Sequence, residues 1–197
     1  MKKARIAEVS RQTKETDISV RLNLDGKGSS QISTGIHFFD HMLILLAKHG
    51  FFDLEVKCKG DLEVDGHHTV EDVGICLGQA FEKALGDKIG IQRFAHSYVS
   101  MDEALARVVI DLSGRSYLCM APVFQSAVVG DFPVTLVTEF FRAVTDHGNF
   151  NLHIALLRSD NDHHAIEAIF KAFAQTLDGA SVHTGRSLDI PSTKGQL

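Results

Sequence analysis

The chain says one thing twice. Val20, Leu22, Leu24 and Gly26 recur as Val108, Ile110, Leu112 and Gly114. Glu15 then falls opposite Glu103, and Lys27 opposite Arg115. Further along, Phe38-Phe39 recurs as Phe140-Phe141, His49-Gly50 as His147-Gly148, and Leu54 and Val56 as Leu152 and Ile154. The series ends with His67, His68 and Glu71 opposite His163, His164 and Glu167. An ordered series of matches marks an internal repeat, and its drifting offset marks loop insertions. The fold must therefore be two versions of one unit.

The periods within each copy say what that unit is. Ile18, Val20, Leu22 and Leu24 alternate as a half-buried strand does, and so do Phe52, Leu54, Val56 and Cys58, and Phe150, Leu152, Ile154 and Leu156. Helical spacing takes over at Val70, Val73, Leu77, Phe81 and Ala84, and again at Ile166, Ile169, Phe170, Phe173 and Leu177. A shorter apolar helix is predicted over residues 38–47, with a counterpart over 139–144. Each half thus reads as strands, helix, strand, helix. An alternating strand has one apolar side to cover, so the economical packing is a sheet with both helices on one face. The expected class is α+β, built from tandem duplicated half-domains, each a mixed β-sheet with two helices. The first half spans 1–90 and the second 91–186, joined near Gly86 to Gln92, and a polar tail runs over 187–197.

The two His-His-x-x-Glu motifs carry the chemistry. Residues i and i+4 of a helix lie about 40° apart, so His67 and Glu71 can reach one cation, and so can His163 and Glu167. Neighbouring histidines are rotated by about 100° and cannot easily share a metal. Each motif should therefore serve two centres, closed by the other half or by a neighbouring subunit. Imidazole with carboxylate suits Mn, Fe, Zn, Co or Ni better than Mg or Ca. Capped amphipathic helices would explain the polar first turns, with Asp65-Gly66 and Asp162 as the caps; capping does not call for paired histidines. By spacing alone, His41 at the start of an apolar helix reads first as a buried, hydrogen-bonded histidine and second as a ligand.

Several function classes are disfavoured. A net charge of −5 and no basic–aromatic surface argue against nucleic acid. Three cysteines without CxxC spacing argue against a disulfide framework or a zinc ribbon and fit a reducing cytoplasm, with Cys58 and Cys76 as small core residues. No secretory signal is expected, and the apolar run from Met42 to Ala47 is too short to span a bilayer. Arg93, Ser113-Gly114-Arg115 and Pro191-Ser192-Thr193-Lys194-Gly195 combine cations with hydroxyls and free N–H groups, as phosphate-binding loops do, although each alone also reads as solvated surface.

Assembled in order, these residues resemble the imidazoleglycerol-phosphate dehydratases of histidine biosynthesis over nearly the whole chain. The resemblance runs through Arg11-x-Thr13-Lys14-Glu15-Thr16, Phe38-Phe39-Asp40-His41-Met42-Leu43, Asp65-Gly66-His67-His68-Thr69-Val70-Glu71-Asp72, Met101-Asp102-Glu103-Ala104, Asp111-x-Ser113-Gly114-Arg115, Leu152-His153-Ile154, His163-His164-x-x-Glu167 and Pro191-Ser192-x-Lys194-Gly195. It implies loss of water from D-erythro-imidazole-glycerol phosphate to give imidazole-acetol phosphate. It implies a half-domain like domain 2 of ribosomal protein S5, two Mn2+ ions per active site, and an assembly of 24 subunits with sites between them. It implies His41, His67, His68, Glu71, His163, His164 and Glu167 as metal ligands. Arg93, Arg115, Ser192 and Lys194 would hold phosphate, so that the tail contributes to the site, and Glu15 would stand beside the reacting carbon. Some relatives carry a histidine ligand just before the second Phe-Phe pair; here the residue is Glu139, whose carboxylate could bind the metal in its place or leave the position to water.

The implied reaction removes a proton from a carbon with no carbonyl beside it, so the substrate's imidazole ring is the available electron relay. Glu15 is the first candidate for general acid and base, with a metal-bound water or Asp102 and Glu103 behind it. Two rival readings are a dinuclear metallohydrolase acting on a phosphorylated small molecule and a non-catalytic, metal-dependent assembly module.

Overall fold

A computed structural model describes residues 4–186 and 189–197. Ser187 and Leu188, which open the tail segment expected from the sequence, lie outside the described residues. The first half contains β1 (Ile6–Gln12), β2 (Thr16–Asn23), β3 (Ser30–Ser33), α1 (His37–His49), β4 (Asp53–Gly60) and α2 (His67–Leu85). The second contains β5 (Phe94–Met101), β6 (Ala104–Asp111), β7 (Tyr117–Met120), β8 (Val128–Val129), β9 (Phe132–Pro133), α3 (Thr135–Gly148), β10 (Asn151–Arg158) and α4 (Asp162–Ser181).

Both halves make the same mixed sheet. The first runs β1-β2-β4-β3 and the second β5-β6-β10-β7. In each the outer strand β3 or β7 is parallel to its neighbour and the other pairings are antiparallel. The β8–β9 hairpin has no counterpart in the first half, and it is the insertion that shifts the repeat between β7 and α3. Register follows the alternation read from sequence: Val20 lies opposite Val9 on one side and Val56 on the other, and Leu22 opposite Ala7 and Leu54, all on the buried face.

The helices depart from the expectation in one respect. α2 lies on β1 and β2 and α4 on β5 and β6, but α1 also packs on α4, and α3 packs on α2. All four helices form one layer between two outer sheets, and a single apolar core runs through both halves. The reason is visible in α4, where Ile166, Ile169, Phe170 and Phe173 are all buried, a stripe wider than one sheet contact needs. The repeated Phe-Phe pairs meet at the pseudo-symmetric centre, with Phe39 edge-on to Phe140 at 5.3 Å. Where α2 crosses α3, Gly74 and Gly78 face it. A Cβ at Gly74 would stand 2.8 Å from Ala143 Cβ, and one at Gly78 would stand 2.6 Å from the Val144 carbonyl oxygen. Only glycine permits this approach.

Other differences are local. α3 is longer than the predicted 139–144, starting at Thr135 and ending at Gly148. The second-half cap is Asn161, whose side chain accepts from the N–H groups of His163 and His164. Asp162 is instead buried and accepts from the backbone N–H groups of Gln125 and Ser126, tying down the segment before β8. Asp65 Oδ1 does accept from the His67 N–H, at 2.7 Å. Cys76 is buried, Cys58 half-buried and Cys119 exposed. Burial pushes the Cys58 and Cys76 thiols up to about 11, which keeps them protonated and unreactive. No helix among the described residues is long and apolar enough to cross a membrane.

Candidate active site

Both His-His-x-x-Glu motifs open a helix. The adjacent rings diverge as helical geometry requires: His67 and His68 have centroids 6.2 Å apart and planes at 89°, and His163 and His164 have 6.2 Å and 84°. Along each helix the i,i+4 pair closes. His163 Nε2 lies 3.1 Å from Glu167 Oε1, and His67 Nε2 lies 3.8 Å from Glu71 Oε2.

The strongest grouping joins the two halves. α1 brings His41 Nε2 to 3.0 Å from Glu167 Oε1, so His41, His163 and Glu167 present three donor atoms within 4.8 Å of one another. His41 is thus not the buried histidine that its spacing favours; its side chain is 45% exposed and faces the second half. Glu167 Oε2 accepts from Lys171 Nζ at 2.6 Å. Burial alone would raise the Glu167 carboxyl. The hydrogen bonds from Lys171, His41 and His163 outweigh it and hold the group down at about 2. A buried carboxylate that stays ionised beside two imidazoles open to solvent fits a divalent transition metal of the manganese-to-zinc series.

The outer histidine of each motif is oriented by a carboxylate. His164 Nδ1 lies 2.9 Å from Glu103 Oε2, with Asp102 in the same group of donors. His68 Nδ1 lies 3.0 Å from Asp61 Oδ2. The carboxylate hydrogen bonds raise both imidazoles from their ordinary value. A carboxylate on Nδ1 fixes the tautomer and turns Nε2 outward, the arrangement that ligating histidines use. Glu15, at the tip of the β1–β2 turn, places Oε1 3.8 Å from His68 Nε2. Glu103 occupies the equivalent tip between β5 and β6. In the second half the tip glutamate is bound to its histidine; in the first, Asp61 takes that ring position and Glu15 stands free of it.

Glu139 is not brought to these groups. It accepts from Arg142 Nη1 at 2.7 Å, one turn along α3, and belongs to no three-donor cluster among the described residues.

The anion-binding candidates converge at the other end of the β5–β6 hairpin. Arg93, whose backbone is in the left-handed region at φ 70°, donates to both Asp111 carboxylate oxygens and to the Pro191 carbonyl. The tail turns at Ser192, whose carbonyl accepts from the Gly195 N–H and whose hydroxyl accepts from the Lys194 N–H. It ends on Gly114, where a Cβ would stand 2.5 Å from the Leu197 carbonyl carbon; Gly114 has φ 73° and adjoins Arg115. The backbone segments that carry Arg93, Arg115, Ser192 and Lys194 therefore meet in one loop cluster.

Sequence reasoning missed Asp61 and Lys171 and gave Asp111, quoted only within a motif, no role. Lys171 was within reach, since it stands at i+4 from Glu167. Asp61 and Asp111 carry no spacing signal, because their partners meet them across loops and strands.

Comparison with known proteins gives the family. The sequence model of imidazoleglycerol-phosphate dehydratase matches residues 34–177. The chain is similar to the imidazoleglycerol-phosphate dehydratase of Methylobacillus flagellatus, at 56% identity over 194 residues, covering 98% of each chain. It is similar to that of Paracidovorax citrulli, at 55% identity, covering 98% of this chain and 93% of the relative. Its structure is similar to the crystal structure of the Staphylococcus aureus dehydratase, with a TM-score of 0.83, 40% identity, and coverage of 91% of this chain and 99% of that one. The Pyrococcus furiosus dehydratase, solved with (S)-C348, also gives a TM-score of 0.83, at 33% identity, covering 96% and 100%. The chain belongs to the imidazoleglycerol-phosphate dehydratase family.

Proposed function

We propose that the chain is a hydro-lyase that converts D-erythro-imidazole-glycerol phosphate to imidazole-acetol phosphate in histidine biosynthesis, in the cytoplasm, using manganese. The observation that carries the metal assignment is the meeting of His41 with His163 and Glu167 across the two halves. His67 with Glu71, and the Nε2 atoms of His68 and His164, complete the proposed ligand set. When bound, divalent cations here would supply Lewis acidity and orient the substrate's imidazole ring.

The chain's own groups divide the remaining work. Arg93, Arg115, Ser192 and Lys194 hold the phosphate and so fix the carbons to be changed. Glu15 is the proton carrier. It takes the proton from the carbon next to the carbinol carbon, whose hydroxyl leaves as water. The resulting enol takes a proton on carbon and becomes the ketone.

The site is shared between copies of the chain. The phosphate cluster sits at the Arg93–Asp111 end of the β5–β6 hairpin, and Glu103 and His164 sit at the other. Eight residues of strand separate the ends by about 25 Å. A small phosphorylated substrate cannot bridge that span. This favours self-association, which we propose reaches the 24 subunits that the resemblance implies.

Purified protein supplied with Mn2+ and imidazole-glycerol phosphate is expected to form a ketone without releasing inorganic phosphate. A chelator should stop the reaction. Phosphate release would favour a metallohydrolase, and full turnover by verified metal-free protein would remove the metal from the mechanism. Lys194→Ala is expected to raise KM about 10-fold or more with a small change in kcat, the loss of one charged hydrogen bond. Inhibition by inorganic phosphate at wild-type concentrations would place Lys194 outside the site.

A further inference from the structure

The two tips of the repeat are supported differently. In the first half, Asp72 on α2 is buried, yet it carries a carboxylate. Its Oδ1 accepts from Arg11 Nε at 3.0 Å and its Oδ2 from the Thr16 hydroxyl at 2.6 Å. Thr16 ends the turn that presents Glu15. The Thr13 hydroxyl starts that turn and accepts from the backbone N–H groups of both Glu15 and Thr16, at 3.0 Å each. A chain of hydrogen bonds thus runs from the helix that bears His67, His68 and Glu71 to the backbone of Glu15.

The second half solves the same packing problem without any of it. Strand register and helix starts place Val99 opposite Arg11, Met101 opposite Thr13, Ala104 opposite Thr16, and Ala168 opposite Asp72. Ala104 and Ala168 are fully buried. The strand-to-helix contact at this corner therefore closes with alanines, and the charge nearby, Lys171 Nζ at 3.4 Å from Met101 Sδ, is committed to Glu167 at 2.6 Å and not to the tip glutamate. Burying the Asp72 carboxylate instead, against an Arg11 side chain that stays 39% exposed, costs desolvation, and charges buried in this way are often matched or bettered in stability by apolar groups. What the polar version adds is one defined position for the turn.

We propose that Arg11, Asp72 and Thr16 are positioning residues for Glu15, retained to hold its carboxylate at one place beside His68 rather than to stabilise the fold. This rests on the assignment of Glu15 as the proton carrier. A misplacement near 1 Å can cost about 100-fold in rate. Loss of the anchor should therefore appear in kcat and hardly in binding.

Thr16→Val removes the hydroxyl at nearly constant shape. It is expected to lower kcat about 10- to 100-fold, with KM within about twofold, metal content by elemental analysis unchanged, and a thermal midpoint within a few degrees of wild type. Thr16→Ser should restore most of kcat. In a Glu15→Gln background, Thr16→Val should cost nothing further, because the group it positions is gone. R11V/T16A/D72A, which copies the second half, should fold and show the same kcat loss. An unchanged kcat in Thr16→Val, or a loss that multiplies onto Glu15→Gln, overturns the proposal. A near-normal kcat in Glu15→Gln alone overturns the Glu15 assignment itself, a separate failure.

Discussion

Glu167→Gln is expected to empty one of the two proposed metal positions and take turnover to background. Glu167 is the carboxylate on which His41 and His163 both converge, and Lys171 holds its second oxygen. Glutamine keeps the shape and loses the charge. Groups that merely orient a metal ligand typically cost 10- to 100-fold in affinity, so loss of a ligand should cost at least about 100-fold. Metal content measured after dialysis reads this directly. Wild-type stoichiometry together with wild-type kcat would remove Glu167 from the centre. The same variant has a second readout in metal-free protein. Glu167 is lowered from 4.5 to about 2 on folding. A depressed carboxylate contributes stability that is complete above its unfolded value and lost as pH falls through its folded value. Wild type should therefore lose up to about 3 kcal/mol between pH 5 and pH 2 that Glu167→Gln does not lose. Parallel acid unfolding curves for the two proteins would contradict it.

Glu15→Gln is expected to lower kcat by about two to four orders of magnitude while KM changes little, the range for removing a general acid or base. The structure makes the substitution clean. The Glu15 side chain is half exposed and makes only a 3.8 Å approach to His68, so little packing is lost. Its backbone stays held by Thr13. Metal content should be unchanged, because Glu15 is not among the proposed ligands. A kcat within threefold of wild type would hand the proton transfer to another group.

Much of the fold is legible in the sequence because each half buries one face of its sheet. β2, β4 and the first part of β10 show clean alternation, and the helices between them show clean 3.6-residue spacing. β5 does not. Its outward residues are Phe94, His96 and Tyr98 and its inward ones include Ala95 and Ser97, so the contrast between faces is erased. β3 and β7 are four residues long, too short for a period to declare itself. The site divides along the same line. His-His-x-x-Glu is local on a helix and can be read from spacing. The partners that complete the site are not local: Glu103 reaches His164 from another hairpin, Asp72 reaches Thr16 from a helix to a strand, and His41 reaches Glu167 from the other half. Glu139, legible only as a departure from a pattern, proves to be paired with Arg142.

The glycine seam between α2 and α3 has a consequence for how the chain assembles. The residues of α4 that correspond to Gly74 and Gly78 are Phe170 and Ala174. The notch therefore exists on one half only, and it is filled by Phe140, Ala143 and the backbone around Val144 from the other. Two copies of the first half cannot close on each other in this way, nor can two copies of the second. As the polypeptide leaves the ribosome, the first half carries a cleft cut for a partner not yet made. Duplication made the halves alike, and this seam makes each of them recognise the other.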